Sequence, residues 1–308
     1  MRPRVAAIVL NYDGFEDTVQ CIQSLQRTGY PDLGIVIVDN ASPDGSGQKL
    51  KEQFPQHTVL LESINHGYSG GNNVGIRYAL AARIQFVVIL NNDVVVDPNS
   101  LSLMIDKMIQ DESVGVVTCR VMYKDDPEKL FAGAGRISTL LCTGINTGSH
   151  IELFQNSDQD RSVDFACGVL MLVRAKIFET VGLLDERFFM YFEDVEFSRR
   201  VSAHFKIAYC SRAKAFHKSG GGTSWGNYTE LYLYYHTRNR FLAYGSSPLY
   251  YKMYVALFSI FITMMKSIVI SSKLFLSGST DIRPKLMSLW RGLRDGIALN
   301  FHSVPRVK

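Results

Sequence analysis

The sequence predicts an α/β fold, a doubly wound and mostly parallel sheet with a helical appendage at its C-terminal end. Three observations predict it. Short continuous apolar runs, among them Val5 to Leu10, Gly34 to Val38 and Phe86 to Leu90, have strand length and no polar face, as strands covered on both sides require. Segments with helical apolar spacing separate these runs, and strand–helix alternation implies parallel neighbours. From Met253 to Leu276 the pattern changes to a long apolar stretch, MYVALFSIFITMMKSIVISSKLFL.

The 308 residues, 46% hydrophobic and 20% charged, have globular composition. They suffice for one large α/β domain, or for a domain of roughly 200–250 residues with an appendage. Cys21, Cys119, Cys142, Cys167 and Cys210 are scattered without a C-x-x-C pair, which argues against a zinc knuckle or a disulfide framework and fits a reducing cytoplasm. The N-terminus, MRPRVAAIVLNYD, does not read as a signal peptide, because Asn11-Tyr12-Asp13 interrupts a short apolar run. The net charge of +4 is uneven: nine Lys and Arg face only Asp281 and Asp295 from Phe241 to Lys308. A weakly acidic body offers no basic groove to nucleic acid. The basic, apolar tail suits a membrane surface, or is simply solvated.

In order, Val5 to Leu10 is the first strand, broken by Asn11-Tyr12-Asp13-Gly14. A helix follows with Val19, Ile22 and Leu25 on one face, stopped at Gly29-Tyr30-Pro31. Gly34 to Val38 is the second strand and ends in Asp39-Asn40-Ala41-Ser42. After a helix over Gln48 to Phe54 and a short strand over Thr58 to Leu61, Asn65 to Asn73 reads as a Gly/Asn loop opening a helix at about Val74. Phe86 to Leu90 is the central strand. It breaks at Asn91-Asn92-Asp93 before Val94 to Val96. Leu101 to Gln110 is a helix and Val114 to Thr118 a strand, and Tyr123 to Gly148 reads as a hairpin or loop. Asp164 to Arg174 becomes an apolar strand, Ala175 to Val181 a short helix, and Glu193 starts another helix after the aromatic block Phe188 to Phe192. Lys206 to Tyr209 is a strand, and Tyr228 to Tyr244 an aromatic helix. Lys266 sits within the apolar stretch after Pro248, which favours an interfacial helix or a pair of packed helices over a true span. Arg283 to Leu299 is amphipathic, with Leu286, Leu289, Trp290, Leu293 and Ile297 apolar.

Polar groups recur at successive strand ends: Asn11 and Asp13, Asp39 and Asn40, Asn91 and Asp93. The carboxyl ends of parallel strands face one crevice. Asp39 there suits a nucleobase or ribose, and Gly70-Gly71-Asn72-Asn73 allows close backbone approach beside a helix N-terminus. Asn91-Asn92-Asp93 is either a polar turn or a site where Asp93 holds a divalent cation against a diphosphate. Glu193 and Asp194 cap a helix, or act as a general base whose pKa apolar walls raise. His217 and Lys218 precede Gly220-Gly221-Gly222, a loop able to close over a ligand.

VAAIVLNYDG, IVIVDNAS, NHGYSGGNNVGI, VVILNNDVVVDP, FACGVLMLVRA, FFMYFEDVEFSRR and AFHKSGGGTS, in this order, resemble the family 2 inverting glycosyltransferases, nearest to a rhamnosyltransferase-like branch that builds surface polysaccharides. The resemblance covers roughly Val5 to Tyr244 and implies a GT-A fold, with a Rossmann-like nucleotide-sugar half over 1–120, an acceptor half over 121–244 and a helical tail over 245–308. It implies that Asn91-Asn92-Asp93 is a D-x-D-like element whose first acid is replaced, with Asp93 and His217 as ligands to Mn2+ or Mg2+. Asn11, Asp39, Gly70, Gly71, Asn72, Asn92 and Lys218 become donor contacts, and Asp194, with Glu193 second, the base. The implied donor is dTDP-rhamnose or a UDP-hexose. The implied acceptor is a saccharide or polyprenyl-diphosphate-linked sugar at the inner face of the cell membrane, where the tail binds the membrane or a second subunit. Two rivals stand beside this: a nucleotidyltransferase, whose Gly-rich basic signature Asn11-Tyr12-Asp13-Gly14 lacks, and a non-catalytic nucleotide-sugar binding module, against which Asp93, Glu193-Asp194 and His217 argue.

Overall fold

A computed structural model describes residues 2–146, 159–218, 228–277 and 282–299. The first elements of the chain are β1 (Val5–Asn11), α1 (Phe15–Arg27), β2 (Leu33–Asp39), α2 (Ser46–Gln53), β3 (Thr58–Leu61), α3 (Gly67–Ala81), β4 (Phe86–Asn91), β5 (Val94–Val96) and α4 (Ser100–Gln110). There follow β6 (Val114–Tyr123), β7 (Leu130–Ala132), β8 (Gly135–Ser138), β9 (Thr143–Asn146), β10 (Arg161–Val163), β11 (Leu170–Arg174), α5 (Ile177–Val181), α6 (Glu193–Ser202) and β12 (Lys206–His217). Three helices complete the described chain: α7 (Glu230–Ala243), α8 (Leu249–Ser277) and α9 (Arg283–Ile297).

The described residues fall into two compact units. The larger comprises Met1–Ile137, Gly144–Glu186 and Phe197–Ser219, and the smaller Ser138–Thr143, Arg187–Glu196 and Gly220–Lys308. The larger unit holds a mixed sheet in the order β10-β12-β6-β11-β4-β1-β2-β3. Strands β3, β2, β1 and β4 are parallel to one another, as the alternation of apolar runs and helices predicts. The sheet turns mixed beyond β4: β11 runs antiparallel to both β4 and β6, while β12 is again parallel to β6. Ile8, Val36, Val87, Ile89, Met171 and Val173 face Ile76, Ala79, Phe178 and Phe197 in one buried cluster. Each such side chain contributes about 1.5–3 kcal/mol by leaving water.

Three expectations need correction. Helix α3 starts at Gly67, not near Val74, so Gly70, Gly71, Asn72 and Asn73 are helical and buried rather than a loop. Intrinsic propensity disfavours glycine there by about 1 kcal/mol each. Close packing explains them: a Cβ on Gly71 would stand 2.4 Å from Leu10 Cδ1, and one on Gly75 2.5 Å from Ile8 Cγ2. Strand β12 continues past Tyr209 to His217, through an irregularity between Cys210 and Lys214. Strand β6 likewise runs past Thr118 to Tyr123, and the hairpin read beyond it is present as β8 paired with β9.

In the smaller unit the apolar stretch is one helix, α8, of 29 residues, rather than a packed pair. Leu249–Ser272 is long and apolar enough to cross a bilayer by length and composition. Leu257, Phe261, Met264 and Ile268 are exposed along it, whereas Ser259, Thr263 and Lys266 are buried. Tyr228, Leu233, Ile270 and Leu289 form a small core shared by α7, α8 and α9. Helix α9 closes on α7 through two glycines: a Cβ on Gly292 would lie 2.5 Å from the Tyr234 carbonyl oxygen, and one on Gly296 2.4 Å from Phe241 Cδ2. Tyr234 Oη donates to the buried Asp295 Oδ2 at 2.9 Å beside them. Gly292→Ala gains about 1 kcal/mol of helix propensity, but the backbone it strikes cannot swing away. A net loss of about 1–3 kcal/mol is expected in urea unfolding.

Candidate active site

Register brings the predicted strand-end residues of the larger unit together. Asn11 pairs with Asp39 across β1 and β2, and Leu10 with Asn91 across β1 and β4. Asn11 Nδ2 reaches Asp39 Oδ1 at 2.7 Å, Ser46 Oγ at 2.7 Å and Ser42 Oγ at 3.0 Å. Its Oδ1 accepts from Thr18 Oγ1 at 2.8 Å, and Thr18 accepts from Asn92 Nδ2 at 2.9 Å. Asp39 is buried, with Oδ1 also bound by Ser42 Oγ at 2.6 Å and Oδ2 by the Ser42 amide at 3.2 Å. The chain leaves these strands in the left-handed region at Asp13 (φ 54°) and Ala41 (φ 62°), a strained conformation for residues with a side chain and one that gathers at functional sites.

The first turns of α3 belong to the same unit. Asn40 Nδ2 donates to the Gly67 carbonyl at 3.0 Å and its Oδ1 accepts from the His66 amide at 2.9 Å, so β2 positions the start of α3. Asn73 exchanges bonds with both the carbonyl (2.8 Å) and the amide (3.1 Å) of Leu184. Asn72 Nδ2 donates to the Tyr68 carbonyl at 2.9 Å. By contrast, Asn72 Oδ1 and Ser69 Oγ are buried without a hydrogen-bond partner. Gly70 lies against His66, where a Cβ would approach to 2.7 Å.

His217 reaches Asp93 because β12 ends antiparallel to β5, with His217 opposite Val94. His217 Nε2 stands 3.3 Å from Asp93 Oδ1 and 3.5 Å from Asn91 Nδ2. The 3.3 Å approach lacks hydrogen-bond geometry, so Asp93 Oδ1 is a buried oxygen without a hydrogen bond, and His217 Nδ1 is a second orphan. No group of three or more His, Cys, Asp or Glu gathers among the described residues. Asp93 Oδ1 and the His217 edge carrying Nε2 face each other, and with Nε2 as the donor atom they fit a divalent ion that draws its remaining oxygens from a diphosphate and water. Lys218 is exposed and held by Asp17, Nζ to Oδ2 at 2.8 Å. Gly220-Gly221-Gly222, expected to close over a ligand, lie outside the described residues.

In the smaller unit, Phe189 (φ 62°), Tyr191 (φ 66°) and Phe192 (φ 73°) lie in the left-handed region, which costs bulky residues about 1–3 kcal/mol each. Two side chains of α7 hold the turn. Asn239 Nδ2 approaches the carbonyls of Phe188 (2.8 Å), Met190 (2.8 Å) and Tyr191 (2.9 Å). Arg238 Nη2 donates to the carbonyls of Arg187 (2.6 Å) and Phe188 (3.2 Å), while its Nε donates to Asn239 Oδ1 at 2.8 Å. The aromatic block Phe188 to Phe192 is thus the strained lead-in to Glu193-Asp194. Sequence reading passed over Arg238-Asn239 as ordinary polar members of an aromatic helix. The one available signal was a polar pair inside a run of Tyr and Phe.

The two acids differ. Glu193 is 6% exposed and its Oε2 lacks a hydrogen bond. Burial, then the neighbouring Asp194, pushes its carboxyl well above the usual glutamate range. Burial and Glu193 together raise the Tyr191 phenol to about 12. Asp194 is half-buried and its Oδ1 accepts from the Val195 amide at 2.8 Å.

The Glycosyl transferase family 2 model matches residues 6–182. The low-salt glycan biosynthesis hexosyltransferase Agl10 of Haloferax volcanii is 29% identical over 256 residues, 79% of this chain and 76% of that protein. The N-acetylglucosaminyl-diphospho-decaprenol L-rhamnosyltransferase of Mycobacterium tuberculosis is 25% identical over 215 residues, 62% of this chain and 68% of that protein. Among solved structures, the mannosyltransferase PcManGT of Pyrobaculum calidifontis, in complex with GDP-Man and Mn2+, superposes with a TM-score of 0.58 over 97% of this chain and 88% of that chain. At 15% identity that likeness is one of fold, and it agrees with the GT-A architecture.

Glu193 supplies a test of its own. A carboxyl with a raised pKa keeps its proton in the folded chain and releases it on unfolding. Rising pH therefore favours unfolding above the unfolded glutamate pKa of about 4.3, by about 1.4 kcal/mol per pH unit until the folded pKa is reached. Glu193→Gln is expected to melt above wild type near about pH 8, with the gap closing as pH falls to about 4. Parallel melting curves across that range would show that Glu193 is ionised when folded.

Proposed function

The chain belongs to glycosyl transferase family 2, and from that premise we propose an inverting, metal-dependent transfer of rhamnose or another hexose from a nucleoside-diphosphate donor, either dTDP-rhamnose or a UDP-hexose. The acceptor is a saccharide or a polyprenyl-diphosphate-linked sugar in cell-surface polysaccharide synthesis. One observation carries the reading: buried polar atoms left unsatisfied at Asp93, His217, Ser69 and Asn72 in the larger unit, and at Glu193 in the smaller. A chain that leaves such groups without bonds forfeits about 1–3 kcal/mol each unless something bound satisfies them. The names of the Haloferax and Mycobacterium relatives, a hexosyltransferase of glycan biosynthesis and a rhamnosyltransferase on a decaprenyl-diphosphate-linked sugar, support the donor and acceptor classes.

The larger unit supplies the donor groups. Asp39 Oδ2 accepts only the Ser42 amide and retains capacity for a hydroxyl or imino hydrogen of the nucleoside. Asn11 spends its side chain on Asp39 and the serines, so its part is to fix that carboxylate. Asn92 in turn steadies Thr18. Ser69 and Asn72 offer the free hydroxyl and amide oxygen, and Gly70 and Gly71 let this turn of α3 pack against His66, Leu10 and Asn40, which sets their position. Asp93 and His217 would hold Mn2+ or Mg2+, which offsets negative charge on the departing diphosphate. Lys218, tethered only to Asp17 at the surface, can release it and swing toward the same charge.

The smaller unit supplies the base. Asp194 is assigned that role over Glu193, because a carboxyl that burial keeps protonated cannot accept a proton. The acceptor hydroxyl oxygen attacks the anomeric carbon, the bond from that carbon to the diphosphate oxygen breaks, and the hydroxyl proton passes to Asp194. One displacement inverts the centre. The exposed apolar side of α8 and the basic composition around it support a location at the cytoplasmic membrane surface, with α8 as an interfacial helix.

Asp194→Asn is expected to lower sugar transfer by about 10²–10⁴-fold, the worth of general-base help, while donor binding by calorimetry stays near wild type. Near-normal transfer would sink the assignment. Donor hydrolysis by the wild-type chain separates a catalyst from a mere binding module. Asp93→Asn should weaken donor binding with Mn2+ present and leave binding of the bare nucleoside unchanged.

A further inference from the structure

Among the described residues, the smaller unit buries cations with no acidic side chain set against them. Arg240 of α7 is 4% exposed and Lys266 of α8 is 9% exposed. His236 lies one turn before Arg240 on the same face of α7. Their neighbours are ring faces. Lys266 Nζ stands 5.1 Å from the centroids of both Tyr228 and Tyr232. The Arg240 guanidinium lies 5.8 Å from Phe192 and 5.5 Å from Phe258. His236 packs on Tyr232 at 4.7 Å and Phe192 at 4.9 Å. Arg240 meets Phe258 while Tyr232 meets Lys266, so α7 and α8 run antiparallel here. Ser259, Thr263 and Lys266, spaced four and three apart, share the face of α8 turned to them.

This face is electrostatically incomplete. Burial and then the like charge of Arg240 depress Lys266 to about 7. Burial, Lys266 and Arg240 in turn hold the His236 imidazolium far below its usual range. Among the described residues, no Asp or Glu acts on these three groups. Asp295, the buried acid nearby in sequence, is taken by Arg291, Arg294 and Tyr234. His236 Nδ1, Arg240 Nε, Ser259 Oγ and Thr263 Oγ1 are all buried without a hydrogen-bond partner. Ring faces repay only part of a buried cation's lost hydration.

We propose that Arg240, Lys266 and His236, with the hydroxyls of Ser259 and Thr263, form a binding site for the diphosphate of a prenyl-linked acceptor. An anion supplies the missing charge and accepts from several donors at once. The opposite side of α8, with Leu257, Phe261, Met264 and Ile268 exposed, suits an amphiphile whose other end is hydrocarbon. Phe192, whose ring touches both His236 and Arg240, immediately precedes Glu193-Asp194. The site therefore adjoins the proposed base within one unit. This inference rests on the transferase reading above and names its acceptor.

The test uses the full chain and farnesyl diphosphate, with farnesol and inorganic pyrophosphate as controls, in titration calorimetry. Farnesyl diphosphate is expected to bind at least about tenfold tighter than either control, a difference of about 1.4 kcal/mol. Equal binding of farnesol would remove the anion from the site, and equal binding of pyrophosphate would remove the lipid; either overturns the proposal. Lys266→Met is expected to weaken farnesyl diphosphate binding by at least about tenfold while the free protein melts at the same or a higher temperature, because an unpaired buried charge has gone. A lower melting temperature with unchanged binding assigns Lys266 a structural role and overturns the proposal. If both fall, Lys266→Arg decides: retained binding upholds the site and lost binding overturns it. Sugar transfer enters none of these readings. A chain that bound farnesyl diphosphate but neither bound nor hydrolysed a nucleotide sugar would overturn the transferase reading alone.

Discussion

Strand register in the larger unit decides where its polar chemistry lies. With Asn11 opposite Asp39 and Leu10 opposite Asn91, three chain reversals occur at one edge of the sheet. A slip of one residue would part Asn11 from Asp39 and turn the side chains of the strand ends to the opposite face. Buried side chains such as Ile8, Val36 and Ile89 hold that register, so core packing and site geometry are one constraint. The Asn11–Asp39–Ser42–Ser46 network is its polar expression: a buried carboxylate is tolerable there because the Asn11 side-chain amide and the hydroxyl and backbone amide of Ser42 satisfy it, while Ser46 accepts from Asn11. Glycine in α3 serves the same end by letting the helix settle onto β1.

The smaller unit solves a different problem. Three aromatic residues with positive φ precede Glu193, and the polar side chains of Arg238 and Asn239 hold them from the neighbouring helix. The backbone strain and the bonds that balance it are local to the carboxylates. Rigid placement of a base is worth more to a displacement than its bare presence, since misplacing it by about 1 Å can cost about 10²-fold.

Apolar runs and turn residues made the parallel half legible from the sequence, because buried strands and their polar ends follow from short-range pattern. Asp93 and His217 were legible as separate candidates, and the antiparallel meeting of β5 with β12 is what joins them. The start of α3 was misread because glycine and asparagine signal turns locally, whereas the close approach of Gly71 and Gly75 to β1 is a tertiary demand. Arg238 and Asn239 escaped for the same reason: their partners lie about fifty residues away, in a turn whose dihedral angles no local pattern announces. The single α8 helix was half legible, its length and apolarity plain and its buried face of Ser259, Thr263 and Lys266 hidden until α7 supplied the other side.

Buried polar atoms without partners are uncommon in folded chains, where more than about 90% are satisfied. Among the described residues, some lie on α3 and at the Asp93–His217 pair in the larger unit, and others at Glu193 and along the α7–α8 face in the smaller. The groups differ in chemistry. Asp93, Asn72 and Ser69 lie in the larger unit, where the proposed metal and nucleoside would bring donors and positive charge. Cations and hydroxyls lie on α7 and α8, where the proposed diphosphate would bring negative charge. A chain selected for stability alone would fill such positions with apolar side chains of the same volume. That it keeps complementary deficits in separate places is what a two-substrate enzyme requires, because each deficit is made good only when its own substrate is bound.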